Sequence, residues 1–221
     1  MKKILLLMVA FVTATVTLAS ADIMTGVAVR TGNDGADWSQ LGPDGTPVST
    51  GFTLSSAGGI GITGSFAGGG DGAVLQQGVD WGGNFAAGDN LLWTNSPGQG
   101  PLTLAFSSGV YQAGVQIQAD YVGAFTATID AYNGSTWLGT FSENGVSNGN
   151  GDNSAIYLGI QDLSGRNINK VVIGLSSCTQ DCGDFGVSQL SLTTPEPGTL
   201  VLLASGMLGL AGVVRRRVAS A

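Results

Sequence analysis

From Asp89 onward the chain alternates apolar and polar residues with a period of two. Val115, Ile117, Ala119 and Tyr121 alternate with Gln116, Gln118 and Asp120, and Phe125, Ala127, Ile129 and Ala131 alternate with Thr126, Thr128 and Asp130. This spacing predicts antiparallel strands with one face on a core and the other in solvent. Further strands are expected at 91–93, 101–106, 155–160, 168–175 and 185–192. Asn133-Gly134 predicts a type I′ hairpin turn into 135–142, and 143–154 reads as an acidic, Asn-rich loop. Before Asp89 the pattern is weaker, with strands at 26–30 and 48–54, turns at 31–37 and 42–47, and a glycine-rich stretch, 57–72, that forms bends or stays mobile. Gly59-Ile-Gly61-Ile-Thr-Gly64 fits a dinucleotide fingerprint by letters only, because no helix follows it and no βαβ unit surrounds it. No helical period occurs between Asp22 and Thr194. The fold class is therefore all-β, an antiparallel β-sandwich or jelly roll. Its single domain covers 22–193 and is best defined over 89–192.

The two ends follow different rules. Lys2 and Lys3 precede an apolar segment, 4–18, and Ala19-Ser20-Ala21 supplies the small-x-small pattern of signal-peptide cleavage before Asp22. Such a leader implies passage through the Sec translocon. At the other end, Pro195-Glu196-Pro197 is followed by an uncharged run, Thr199 to Val214, and then by Arg215, Arg216 and Arg217. A helix of that length spans about 24 Å, slightly less than the ~30 Å hydrocarbon core, and the arginines favour the cytoplasmic side. The pattern predicts a short C-terminal membrane helix.

This three-part tail, 194–221, resembles the PEP-CTERM sorting signal of Gram-negative bacteria. The resemblance implies recognition and tail removal by an exosortase, with the inner membrane as a transient station and the cell surface, outer membrane or extracellular matrix as destination. The block from Asp89 to Leu192 also resembles a body domain recurrent among proteins carrying that signal. The matching segments are Gly88-Asp89-Asn-Leu-Leu, Leu102-Thr-Leu-Ala-Phe106, Gly114-Val-Gln-Ile-Gln118, Phe125-Thr-Ala-Thr-Ile129, Leu158-Gly159 and Asp184-Phe-Gly-Val. That resemblance implies a β-sandwich and transfers no catalytic residue.

Charge and composition narrow the chemistry. Of eight basic residues only Arg30, Arg166 and Lys170 lie between 22 and 197, against all fifteen acidic ones, so the processed body carries about −12. Three scattered cations cannot displace counterions from phosphates, which argues against nucleic acid as a partner. The chain has no histidine, and with it go Ser-His-Asp and Cys-His nucleophiles and histidine zinc sites. Cys178 and Cys182, with three residues between them in an exported chain, predict a local disulfide.

Three candidate chemistries remain. Asn148, Asn150 and Asp152, with Asn153, gather oxygen ligands in one loop and would suit a structural calcium, although the EF-hand glycine and terminal glutamate are missing. No other cofactor is indicated. Trp137, just past a turn, and Trp93 are candidates for stacking on sugar rings, against the usual core role of tryptophan. A carboxylate pair such as Asp120 and Asp130 is the remaining equipment for glycoside hydrolysis. The sequence therefore predicts a non-catalytic, exported structural or adhesive protein associated with exopolysaccharide. A carbohydrate-binding module is the alternative, and an aspartate-dependent hydrolase the lesser one.

Overall fold

The computed structural model describes residues 23–194 and is all-β. In chain order the strands are β1 (Met24–Val27), β2 (Asp34–Ala36), β3 (Thr46–Val48), β4 (Phe52–Ser55), β5 (Gly61–Phe66), β6 (Gly72–Gln76), β7 (Asn90–Trp93) and β8 (Leu102–Val110). They continue as β9 (Gln112–Ala119), β10 (Gly123–Asn133), β11 (Thr136–Ser147), β12 (Ile156–Asp162), β13 (Ile168–Ser177), β14 (Phe185–Val187) and β15 (Leu190–Thr193), and a short 3-10 helix occupies Trp38–Leu41. The strands pair antiparallel in two sheets. The six-stranded sheet has the order β11-β10-β13-β8-β5-β4. The nine-stranded sheet runs β1-β12-β9-β14-β7-β6-β3, and β15 lies beside β9 in line with β14 and carries β2 on its other side. The expected leader and the membrane helix at 199–214 lie outside the described residues. Among those described, no helix is long and apolar enough to cross a membrane.

The inward positions of the alternating strands build the core. Val115, Ile117 and Ala119 of β9 face Leu102 and Leu104 of β8, Ala127, Ile129 and Ala131 of β10, and Val171 and Ile173 of β13 within one continuous buried cluster. Each of the Val, Leu and Ile side chains among them contributes about 1.5–3 kcal/mol on full burial, which is what holds the two sheets face to face.

Strand β9 departs from the expected half-buried pattern: Gln118 and Gln112 are as buried as the apolar residues between them. A second layer covers this outer face, and the glutamine amides hold it. Gln118 accepts from the Asn84 N–H (2.6 Å) and donates to the Ser147 hydroxyl (2.8 Å) and the Asn148 carbonyl (3.0 Å). Gln116 donates to Asn153 Oδ1 and the Ala155 carbonyl, while the carboxamide oxygen of Gln112 accepts from Thr31 and Thr193. The buried Gln118 amide is tolerated because both its ends are bonded in this way, whereas Gln112 Nε2 is buried without a partner. A satellite core of Leu75, Trp81, Phe85, Leu91 and Ala155 completes the layer, with Trp81 seated against Gly186 where a side chain would crowd it.

Several local expectations are corrected. The stretch 57–72 contains the regular strand β5, and Gly64 is there because the Phe52 ring fills the space of its absent side chain. The run 48–54 is divided into β3 and β4 around Gly51, whose φ is 85°, and 31–37 holds β2 as well as turns. Strand β11 extends through Ser147, shortening the polar loop to the residues that follow. The β10–β11 hairpin centres on Gly134-Ser135, with positive φ at Gly134 (61°) and not at Asn133. A type II′ loop has that requirement, not type I′.

Leu192 of β15 is fully buried. Leu192→Ala should lower unfolding free energy by about 2–5 kcal/mol in urea titration, and the exposed Val146→Ala should change it by roughly 0.5 kcal/mol or less.

Candidate functional site

The departure point of the tail is built by both ends of the body. Strand β2 pairs with β15, Leu190 opposite Ala36 and Leu192 opposite Asp34. Just beyond this pairing, the Asn33 carboxamide grips Thr194 from both sides: its Nδ2 donates to the Thr194 carbonyl (3.0 Å) and its Oδ1 accepts from the Thr194 N–H (2.9 Å). The last described residue before Pro195 is thus tied to a segment near the amino end of the described residues. Pro195, Glu196, Pro197 and Arg215 to Arg217 lie outside the described residues, as do Ala19, Ala21 and Asp22.

Among the described residues the most exposed large aromatic side chain is Trp137, at 58%. The hairpin turn places it opposite Tyr132, and a register shift between Ala131 and Tyr132 makes Leu138 the extra residue. The Trp137 indole N–H donates to Thr140 Oγ1 (3.3 Å), which in turn donates to Asp130. The Lys170 ammonium sits 4.2 Å above the centre of the Tyr132 ring, a cation–π contact. Further along the same outer face, Thr128 lies opposite Ser142 and Thr126 opposite Asn144, the latter pair hydrogen-bonded at 2.9 Å. From Tyr132 to Thr126 this hydroxyl-rich ribbon runs about 20 Å. It ends at an open groove of about 480 Å³ bordered by Thr126, Asn144, Val146 and Ile156.

The other candidates are placed differently. Trp93 packs edge-on against Trp81 with centroids 6.4 Å apart, and its indole N–H donates to Asp184 (2.7 Å), so it serves packing. Cys178 and Cys182 form the expected disulfide, Cα atoms 5.5 Å apart. In the proposed calcium loop, Asn148 Oδ1 accepts from the Asn150 N–H, and Asp152 accepts from the Ser154 N–H and hydroxyl. These bonds hold the Asp152 carboxyl below its usual range, the Ser154 hydroxyl bond being the main cause. Asn84, itself buried, ties the loop down through the Asn148 N–H and the Ser154 hydroxyl. Among the described residues no three acidic or cysteine side chains converge as metal ligands. Asp120 follows β9 of one sheet and Asp130 lies on β10 of the other, and the structure does not bring them together.

Sequence reasoning did not single out Asp184. Its side chain is fully buried just before β14, Oδ1 accepts from Trp93, and Oδ2 has no partner. Burial pushes its carboxyl up to about 6. The Trp93 bond opposes the shift, and the nearby Asp120 and Asp181 carboxylates add to it. Burial also raises Asp120. Asn33, Asn84, Tyr132 and Lys170 were missed as well. None sits in a motif, and each acts through a partner more than thirty residues away in the sequence.

Residues 193–217 match the PEP-CTERM protein-sorting motif. The chain therefore carries the signal that its tail resembles, and the described body ends where that match begins. The motif is an exosortase recognition signal and implies export and sorting to the cell envelope or surface in Gram-negative bacteria. No curated protein matches the chain.

Asp184 generates a pH prediction. Its carboxyl ionises near 6 in the folded chain, against a usual 3.8. Between those values the folded state keeps a proton that the unfolded state releases. This contribution to stability is thus present at low pH and lost as pH rises from about 4 through 6. Urea unfolding at a series of pH values should show that fall, and Asp184→Asn should flatten it relative to the unsubstituted protein.

Proposed function

We propose that this is an exosortase-processed surface or extracellular-matrix protein whose body is non-catalytic and adhesive, holding exopolysaccharide along the β10–β11 ribbon. One observation carries the reading: Trp137 stands exposed at the head of a row of hydroxyl and amide side chains, whereas Trp38, Trp81 and Trp93 are committed to packing. Aromatic faces flanked by Asp, Asn and Thr suit sugar rings, and a ribbon about 20 Å long suits a polymer better than a single sugar. The body charge near −12 disfavours polyanions and points to a neutral or weakly charged glycan. In its sharper form this is the carbohydrate-binding module considered from the sequence.

Two experiments test the proposal. Pull-down with insoluble neutral exopolysaccharide should retain the protein, and Trp137→Ala should weaken binding roughly tenfold or more with an unchanged circular dichroism spectrum. Equal binding by the variant would remove the ribbon from the account. Intact-mass measurement of protein from an exosortase-proficient host should show a chain lacking Arg215 to Arg217, and retention of those arginines on the mature protein would refute processing.

A further inference from the structure

The exit point of the tail and several unusual surface residues share one end of the sandwich. Thr193 pairs with Gln112 at the start of β9, and the Tyr111 N–H donates to the Thr193 carbonyl. The neighbouring Val110 lies opposite Ile168 at the start of β13, and Lys170, two residues on, lies opposite Tyr132, which in turn pairs with Trp137. On the other side, Met24 pairs with Asp162 at the end of β12 and approaches Gly139. The Leu163 N–H donates to the Ile23 carbonyl (2.9 Å). Ile23 and Leu163 are 58% and 59% exposed, as is Trp137 at 58%. The other exposed large apolar side chains of the described residues are all valines.

Charge is unevenly spread along the same axis, although Asp34, opposite Leu192, and Asp130, linked to Trp137 through Thr140, also lie toward this end. Two of the three cations of the body, Arg166 and Lys170, belong to this end, and its Asp162 is buried, accepting from Ser164 and Asn167. The opposite end carries Asp71, Asp120, Asp152, Asp181 and Asp184, as the strand registers place them.

From this arrangement we infer that the tail-exit end of the body is a lipid-docking surface, seated on the same bilayer that receives the tail. This inference rests on the reading that the tail is held in a membrane before processing. Only four residues lie between Thr194 and Thr199, the first of the uncharged run, and five residue steps place this end within about 17 Å of the hydrocarbon boundary. The Asn33 grip on Thr194 removes slack on the body side. Exposed Ile, Leu and Trp beside Lys and Arg are the side chains that partition into a headgroup layer, the aromatic ring at the interface and the cations toward lipid phosphates. The two cations of this end stand against Asp34, Asp130 and the buried Asp162, while the opposite end carries five aspartates, so the less acidic end of an anionic body faces the bilayer.

The test uses the full chain reconstituted in vesicles of phosphatidylethanolamine and phosphatidylglycerol with brominated acyl chains. The other three tryptophans are packed in the body, so the signal lost in a Trp137→Phe variant reports Trp137 alone. Quenching of Trp137 and a blue shift of its emission are expected. Both should diminish in Ile23→Ser/Leu163→Ser and in Arg166→Glu/Lys170→Glu, all surface changes that leave the core intact. Flotation with the vesicles but no Trp137 quenching would overturn the docking surface while leaving the tail reading in place. Failure to float would refute the tail reading itself, and with it the inference. Trp137 responding to soluble polysaccharide but not to brominated lipid would overturn docking and leave the adhesive reading standing.

Discussion

The nine-stranded sheet depends on β9, a strand buried on both faces although every position on one of them is glutamine or glycine. A buried carboxamide must find partners or cost about 1–3 kcal/mol each time one is missing. Gln116 and Gln118 meet that demand, and Gln112 does so through its oxygen alone, its Nε2 being buried without a partner; together they reach into three covering segments: the chain after β1 together with β15, the residues before β12, and the loop after β11. The covering layer and the strand thus specify each other. Without the layer the glutamines would be ordinary solvent-facing residues, and without the glutamines the polar backbone of the loops would lack anchors over the sheet.

This explains which parts of the fold could be read from the chain. Alternation in β9 and β10 located both strands correctly, because an inward apolar set is a local property. It could not tell that the polar set of β9 is buried while that of β10 meets solvent, since the difference is made by residues 84 and 148–155 folding over one sheet only. Strand β5 was obscured by its glycines, of which Gly64 seats the ring of Phe52 from the neighbouring strand. Strand β2 is three residues long and exists because β15 offers it an edge.

The candidate site shows the same division. Trp137 was legible as exposed because a hairpin turn precedes it. Trp93, with a similarly apolar neighbourhood, is sequestered by Asp184 ninety-one residues later, and nothing local announces that bond. The oxygen-rich loop at 148–154 gave a reasonable count of ligands. In the fold several of those oxygens close Asx turns, and Asn84 approaches from the covering layer, a role that composition cannot distinguish from metal binding.

The pairing of β2 with β15 sets a schedule for export. A chain delivered from its amino end presents Met24–Val27 and Asp34–Ala36 first, yet their partners are β12 and β15, the latter holding Leu192, the last core residue among those described. The leading segments must therefore wait unpaired through more than a hundred further residues, and long-range closure of this kind is slow. Unpaired strand edges ordinarily invite aggregation. Here they are brief and interrupted by Gly26 and Gly35, too short and too weakly apolar to nucleate a competing sheet. The sandwich closes only when the carboxyl-terminal tail is all that remains to be delivered.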